Sequence, residues 1–156
     1  MSVYAGLDIS LDAVAICVVG ETGEVLWQGK VRGAPEAVKA VLDRWRDGLV
    51  RVGLEAGATS EWIGVHLVDE GFPVVCLESR HVKAALSAMT VKTDRNDAQG
   101  IAQIVRTGWF KAVHLKSAAG QRLRTLTAAR KAAVRVLTGN EQVIRLRLGS
   151  LLLSAI

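Results

Sequence analysis

The stretch Lys92-Thr93-Asp94-Arg95-Asn96-Asp97-Ala98 carries the residues around which the rest of the chain is organised. Thr93 is of the type that caps helix N-termini, so a helix is predicted to begin directly after it. Asp94 and Asp97 stand three residues apart in that first turn, and residues at this spacing share one helix face. Two carboxylates make a poor magnesium site, because this hard ion takes several oxygen ligands. Further acids from elsewhere in the chain are therefore expected to join them.

Two other acids stand where strands are predicted to end. Residues 3–9 and 49–54 are apolar and strand-like; Asp8 lies at the end of the first run and Glu55 directly follows the second. Either acid alone would more often cap a turn or pair with an arginine. Together with the helical pair, however, they predict one cluster of four acids drawn from three distant segments.

The order of the predicted elements indicates an α/β fold. Three strands joined by short turns form an antiparallel meander, and helix, strand, helix, strand and helix follow. This succession predicts a mixed five-stranded sheet with helices on its faces and parallel strands after the third. The predicted strands cover residues 3–9, 13–19, 24–32, 49–54 and 73–77. Ligands of such sheets collect at the carboxyl ends of the strands, where Asp8 and Glu55 are expected.

Charge divides the chain into two unlike halves. Residues 1–79 contain 6 Lys and Arg against 12 Asp and Glu, a net charge of −6, whereas residues 80–156 contain 14 against 3, a net charge of +11. A basic block of this kind is typical of proteins that bind a polyanion, and it is also found on solvated helix faces. Charge alone leaves both interpretations open.

The last forty residues are rich in Leu, Ala, Val and Arg at helical spacing. A domain over residues 1–116 and a helical segment over 117–156 are therefore expected. The apolar tail of the second indicates either truncation or a surface that awaits a partner. Thr138-Gly139-Asn140-Glu141 combines a helix stop with a helix start, and favours a hairpin of two helices over one rod.

Several classes of protein are disfavoured by composition. No apolar run reaches the roughly 18 to 20 residues of a membrane span, and no secretory signal opens the chain, so a cytoplasmic protein without a membrane partner is expected. Cys17 and Cys76 lie far apart in apolar runs, which favours two buried, reduced thiols. The three histidines lack ligand spacing. The tryptophans are assigned to the core by periodicity, and Trp109 is also a candidate for base stacking.

These motifs resemble the DEDD transposases, an insertion-sequence family with a RuvC-like (RNase H-like) domain that is related to pilin-gene invertases and bridge-RNA-guided recombinases. The match runs through residues 3–116. Gly6-Leu7-Asp8 resembles the family's first-strand motif, Leu54-Glu55-Ala56 its glutamate, and Lys92 to Ala98 its Lys-Thr-Asp-x-x-Asp-Ala block. The last motif is the specific one.

The resemblance implies a Mg²⁺ site, with Mn²⁺ as a possible substitute, formed by Asp8, Glu55, Asp94 and Asp97 and acting on DNA phosphodiesters. It also implies a guide RNA, and a coiled coil that links two domains and forms a homodimer or higher oligomer. Relatives carry their proposed serine nucleophile in a second domain, so no catalytic serine is assigned here and the chain alone is not expected to recombine DNA. Candidate nucleic-acid contacts are Lys92, Arg95, Arg122, Arg124, Arg130 and Arg135.

Three other functions share some of these features. A sugar kinase of the actin-like superfamily would need a second phosphate motif and a longer chain. A Holliday-junction resolvase with the same fold would use the same acids and is harder to exclude. In a non-catalytic nucleic-acid-binding and dimerisation module the acids would be structural. For Lys92 two roles stay open under any of these functions: it contacts a phosphate, or it neutralises the acids.

Overall fold

The computed structural model describes residues 1–87, 93–115 and 118–153. The strands in these ranges are β1 (Val3–Ile9), β2 (Ala13–Gly20), β3 (Val25–Arg32), β4 (Leu49–Glu55), β5 (Val74–Leu77) and β6 (Ala112–Val113). Within the described residues they form one mixed sheet in the order β3-β2-β1-β4-β5-β6. The α/β class is confirmed, and the sheet has a sixth strand, β6, beyond the five predicted. Two residues are too short a run to show a strand pattern.

The sheet begins as an antiparallel meander and continues with parallel strands, as predicted. Strand β1 pairs antiparallel with β2 and parallel with β4, and β4 pairs parallel with β5. The added strand β6 runs antiparallel to β5. The carboxyl ends of β1 and β4 therefore lie side by side at one edge of the sheet.

Helices cover both faces of this sheet. Helices α1 (Pro35–Leu42) and α2 (Ala58–Asp69) bury their apolar side chains on the face that holds Leu7 and Leu54. Helix α4 (Asp94–Thr107) and helix α3 (Ser79–Leu86) pack on the opposite face. The segment between α1 and β4 is a 3₁₀ helix, Asp43–Gly48, although the apolar periodicity from Pro35 predicts one continuous helix up to Gly48.

Gly6 lets α4 approach the sheet closely. A Cβ atom on Gly6 would lie 2.2 Å from the backbone oxygen of Ala98 and 2.3 Å from the backbone nitrogen of Ala102, far inside van der Waals contact. Neither backbone atom can move without displacing the helix. The small residues of β1 and α4 thus allow this helix to lie directly on the central strand.

The start of α2 differs from the prediction. Thr59 and Ser60 are residues of the capping type, from which the sequence predicts a helix beginning at Thr59, but the N-cap is Gly57, without a side-chain cap hydrogen bond. Ser60 is instead buried, as is Glu61 beside it. The helix begins one residue earlier than the pattern indicated, and its first turn is drawn into the protein interior.

The chain divides into two compact units, Met1–Leu115 and Lys116–Ile156. In the described part of the second unit, helix α5 (Ala118–Leu153) runs for 36 residues without a break. The hairpin predicted at Thr138-Gly139-Asn140-Glu141 is therefore wrong. One glycine costs a helix only about 1 kcal/mol, and the Leu, Arg, Glu and Gln residues near it are strong helix formers. None of the helices in the described ranges is long and apolar enough to span a bilayer.

Candidate functional site

The two strand acids lie at neighbouring strand ends and on the same face. In the parallel pairing of β1 with β4, Leu7 is opposite Leu54, so the next residues, Asp8 and Glu55, follow at adjacent positions. Alternate residues of a strand share a face. Gly6 and Gly53 both lie under α4. Asp8 and Glu55, two positions further on, therefore lie on the α4 side of the sheet.

The helix acids are positioned by the N-cap of α4, which forms as predicted. The Thr93 hydroxyl oxygen accepts a hydrogen bond from the backbone N–H of Asn96 at 3.2 Å, and the backbone N–H of Asp97 donates to the Thr93 carbonyl at 2.9 Å. The residues after the cap, Asp94 and Asp97, both belong to the first turn. The turn is thus anchored at its start by two hydrogen bonds to one residue.

The charges of the other three acids act on the carboxylate of Asp8. The pKa of Asp8 is raised to about 6, first because the carboxyl group is partly buried, and then because Asp94, Asp97 and Glu55 repel its charge. These three acids come from two other segments of the chain. The structure therefore brings the predicted acids from all three segments into one neighbourhood, in which Asp8 is partly buried.

A lysine from β3 supplies a positive charge within this neighbourhood. The Lys30 ammonium donates a hydrogen bond to Asp94 Oδ2 at 2.8 Å. This contact, together with the charge of Lys30, lowers the pKa of Asp94. Lys30 also partly offsets the rise in the Asp8 pKa. The prediction from sequence missed this residue.

The donor chemistry of the cluster suits a hard divalent ion, because all four groups offer carboxylate oxygens. Within the described ranges, however, no three His, Cys, Asp or Glu side chains are close enough together to hold one metal ion. Asp94 is more than half exposed, so its side chain has room to turn.

The remaining candidate residues fall into three groups. Lys92 lies outside the described residues. Arg95 borders the cluster, where its Nε atom donates to Gln28 Oε1 at 2.7 Å and its backbone oxygen accepts from Gln28 Nε2 at 2.8 Å. The other arginines are exposed along α5: Arg122, Arg124, Arg130 and Arg135.

Two tryptophans expected in the core are exposed instead. Trp109 is 78% exposed and touches His81 edge to face, and Trp62 is 52% exposed. Helix α2 buries Ile63 and Leu67, four residues apart, which leaves Trp62 on another side of the helix. Cys17 and Cys76 are both buried thiols, as expected.

Comparison with known proteins gives one family and one fold. The family model described as a transposase, of the DEDD type named for IS110, matches residues 5–151. The transposase for insertion sequence element IS1111A of Coxiella burnetii (strain RSA 493 / Nine Mile phase I) is 28% identical over 144 residues. That alignment covers 90% of this chain and 37% of the relative, so the chain spans little more than a third of that relative's length.

Solved structures of RuvC share the architecture. Thermus thermophilus RuvC superposes with a TM-score of 0.51 at 21% identity, covering 71% of this chain and 99% of RuvC. The same protein in complex with a Holliday junction substrate gives a TM-score of 0.51 at 21% identity, over 72% and 100% of the two chains. At this identity the likeness shows the fold alone, which is RuvC-like.

Proposed function

Because the chain belongs to the DEDD transposase family of the IS110 type, we propose that it is the part of a DNA recombinase that holds Mg²⁺ and takes part in DNA strand cleavage and exchange. The observation that carries this proposal is the placement of Asp8 and Glu55 at adjacent strand ends on the α4 side of the sheet. It is supported by the raised pKa of Asp8, which is due first to burial and then to repulsion by the other three acids. Like charges are costly to gather unless a ligand uses them. Such a ligand would be a divalent cation.

The proposed metal ligands are Asp8, Glu55, Asp94 and Asp97, with Mn²⁺ able to replace Mg²⁺. A divalent ion bound there would stabilise charge on the attacking and leaving oxygens of a phosphodiester. Asp8 is the best candidate for a carboxylate shared between two ions, since it interacts with all three other acids. The strand acids are held in place by the sheet, while the exposed Asp94 can rotate towards an ion.

We further propose that α5 binds nucleic acid backbone and forms a homodimer or higher oligomer as a coiled coil. Over Ala118–Leu153 there are seven Lys and Arg against one Glu. Large apolar residues at helical spacing are also exposed there, among them Leu123, Leu126, Leu137, Ile144 and Leu148. The basic residues would bind a guide RNA or the DNA substrate through phosphates, and the apolar residues would pair two copies.

Titration with Mn²⁺, followed by electron paramagnetic resonance, tests the metal site. Asp94→Ala and Asp97→Ala should each weaken Mn²⁺ binding at least about tenfold, as expected when a metal site loses one of its ligands. The control Asp47→Ala removes an exposed acid of the 3₁₀ helix and should leave the affinity unchanged. Affinities that do not change in the first two variants would instead favour a binding module with structural acids.

Salt-dependent binding to DNA and RNA tests the role of α5. Duplexes, single strands and a four-way junction are suitable probes, the last because RuvC was solved with a Holliday junction. Substituting Arg130 and Arg135 by alanine should reduce the slope of log Kd against log salt by about 1 for each phosphate that the protein no longer binds. An unchanged slope would assign these arginines to a solvated face.

A further inference from the structure

Strand β3 places Lys30 in line with the acid cluster. In the antiparallel pairing, Asp8 of β1 is opposite Ala15 of β2, and Ala15 is opposite Lys30 of β3. Directly paired residues project from the same face of a sheet. Since Ala15 has a short side chain, little separates the lysine from Asp8. The ammonium group can therefore reach across β2 towards the carboxylates.

Lys30 is not the only contact between β3 and the first turn of α4. Gln28 and Arg95 exchange two hydrogen bonds, at 2.8 and 2.7 Å. The Thr93 cap also holds this turn, through the hydrogen bond from the Asn96 N–H. The position of the turn is thus determined without Lys30, and the bond from Lys30 to Asp94 mainly supplies positive charge.

We propose that Lys30 is the internal cation of the acid cluster, an inference that rests on the metal site proposed above. Lys30 binds Asp94 in the metal-free protein and is displaced from Asp94 when a divalent ion binds. Both cations need the same carboxylate oxygens. The ammonium carries one charge where the ion carries two. Lys30 would thus keep the four acids partly neutralised until the ion arrives, and would set how tightly the ion binds.

Exposure makes this exchange feasible. The side chains of Lys30 and Asp94 are 55% and 57% exposed, so water screens their attraction and the pair is easily broken. A cleft of about 690 Å³ adjoins the pair and gives the long lysine side chain room to move. The cleft is lined by Ala15, Gln28, Gly29, Lys30, Thr93, Asp94 and Arg95.

Mn²⁺ affinity measured on charge variants tests the proposal. Lys30→Met should bind Mn²⁺ about two- to fivefold more tightly than the parent, a range set by the usual strength of exposed ion pairs. Lys30→Arg keeps the charge and should bind like the parent. Lys39→Met removes an ammonium that pairs with Asp43 and Glu70, and serves as the matched control.

A double substitution separates direct competition from a general effect of charge. If Lys30 competes for the Asp94 oxygens, Lys30→Met should have no further effect in the Asp94→Asn background. An equal gain in both backgrounds would overturn the proposal, because the lysine would then act on the ion only through long-range charge.

The reactivity of Lys30 provides a second readout that does not depend on activity. Acetylation by a small reagent, followed by mass spectrometry, should be slow at Lys30 in the metal-free protein and faster at saturating Mg²⁺. The rate at Lys39 should not change with Mg²⁺. In Asp94→Asn, acetylation of Lys30 should be fast with or without the ion.

The outcomes distinguish this proposal from the proposed function. Mn²⁺ binding that is weakened in Asp94→Asn but as tight in Lys30→Met as in the parent would overturn the role of Lys30 and leave the metal site in place. Binding by neither the parent nor Lys30→Met would overturn both. Tighter binding in Lys30→Met that disappears in the double variant would support the exchange.

Discussion

Helices α4 and α5 both carry apolar residues at helical spacing, yet they differ in what covers those residues. In α4, Ile101, Ala102 and Val105 are almost completely buried on the sheet. In α5, Leu137 and Ile144 are 60% and 57% exposed. Periodicity therefore predicts that a helix has an apolar side. Whether that side packs against residues of the same unit depends on the fold. The first turn of α4 carries two of the candidate ligands, so its packing also positions the site.

Two glycines provide the strongest test of this difference. Gly6→Val would drive side-chain atoms into the backbone of α4 and should cost at least about 3 kcal/mol of unfolding free energy. Gly139→Ala on α5 meets no atom within 4 Å and should instead stabilise that helix by roughly 0.5–1 kcal/mol. Urea unfolding followed by circular dichroism measures both. Equal stability of Gly6→Val and the parent would show that α4 does not lie against β1.

Truncation of apolar side chains gives the next largest effect. Ile101 is 1% exposed, and Ile101→Ala should cost about 2–5 kcal/mol through reduced burial and the cavity left behind. Leu137→Ala should change the stability of the monomer by less than about 0.5 kcal/mol. Sedimentation at several concentrations then shows whether Leu137→Asp breaks an oligomer. An oligomer that persists in Leu137→Asp would move the interface away from this part of α5.

The acid cluster at the start of α4 should make the free energy of unfolding depend on pH. The pKa of Asp8 is about 6 in the folded protein against an ordinary value of 3.8, so the folded state holds this proton more tightly than the unfolded state. The corresponding stability is complete below about pH 4 and is lost as the pH rises through 6. Asp8→Asn should therefore stabilise the metal-free protein by about 1–2 kcal/mol at pH 7.5 and by little at pH 4.

Thermal unfolding across this pH range measures the gain. Asp47→Asn, which alters an exposed acid of the 3₁₀ helix, is the control. Millimolar Mg²⁺ should raise the Tm of the parent and reduce the advantage of Asp8→Asn, because an ion that binds the folded state offsets the repulsion. A stability gain in Asp8→Asn that is constant from pH 4 to pH 7.5 would contradict the assignment.

Loss of the α4 cap should have the smallest effect on stability. Thr93→Ala removes the acceptor for the Asn96 N–H and should cost about 1 kcal/mol. Thr93→Ser keeps the hydroxyl oxygen and is the matched control. Because the first turn also carries Asp94, Thr93→Ala should weaken Mn²⁺ binding as well, while Thr93→Ser should not. Equal Mn²⁺ affinities in the two variants would show that the Thr93 cap does not contribute to metal binding.

Much of the fold and of the acid cluster follows from local patterns in the sequence. Asp8 and Glu55 are predicted at strand ends because apolar runs stop at each of them. The capping type of Thr93 correctly indicates the start of α4, and Gly108 ends it in the left-handed conformation, with φ of 74°. These features depend on short-range interactions, which neighbouring residues in the sequence determine.

Lys30 shows what such patterns miss. The pairing of β2 with β3 shifts register between Val18 and Val19, where a β-bulge or similar irregularity lies. A shift of one residue exchanges the two faces of a strand. Without knowledge of this irregularity, the turn at residues 20–23 does not reveal that Lys30 lies opposite Ala15. The register shift between β2 and β3 therefore brings Lys30 to the site, and the residues next to Lys30 in the sequence do not indicate this shift.

Exposed aromatic residues and the unbroken α5 were missed for a related reason. Trp109 was assigned to the core by periodicity, but it follows the glycine that ends α4 and lies at the surface. The residues around Gly139 favour helix strongly enough to outweigh one stop signal. In both cases a local signal in the sequence, the periodicity at Trp109 or the stop signal at Gly139, did not determine the structure.

A crystal soaked with Mn²⁺ tests the central claim most directly, that the packing of α4 on the sheet builds one metal site from acids of three segments. Anomalous scattering should reveal an ion coordinated by Asp8 and by Asp94 or Asp97, at oxygen distances of about 2.0–2.3 Å, with the Lys30 ammonium moved away from Asp94. A fully soaked crystal with no ion between β1 and α4, or with Mn²⁺ bound only elsewhere, would contradict the account.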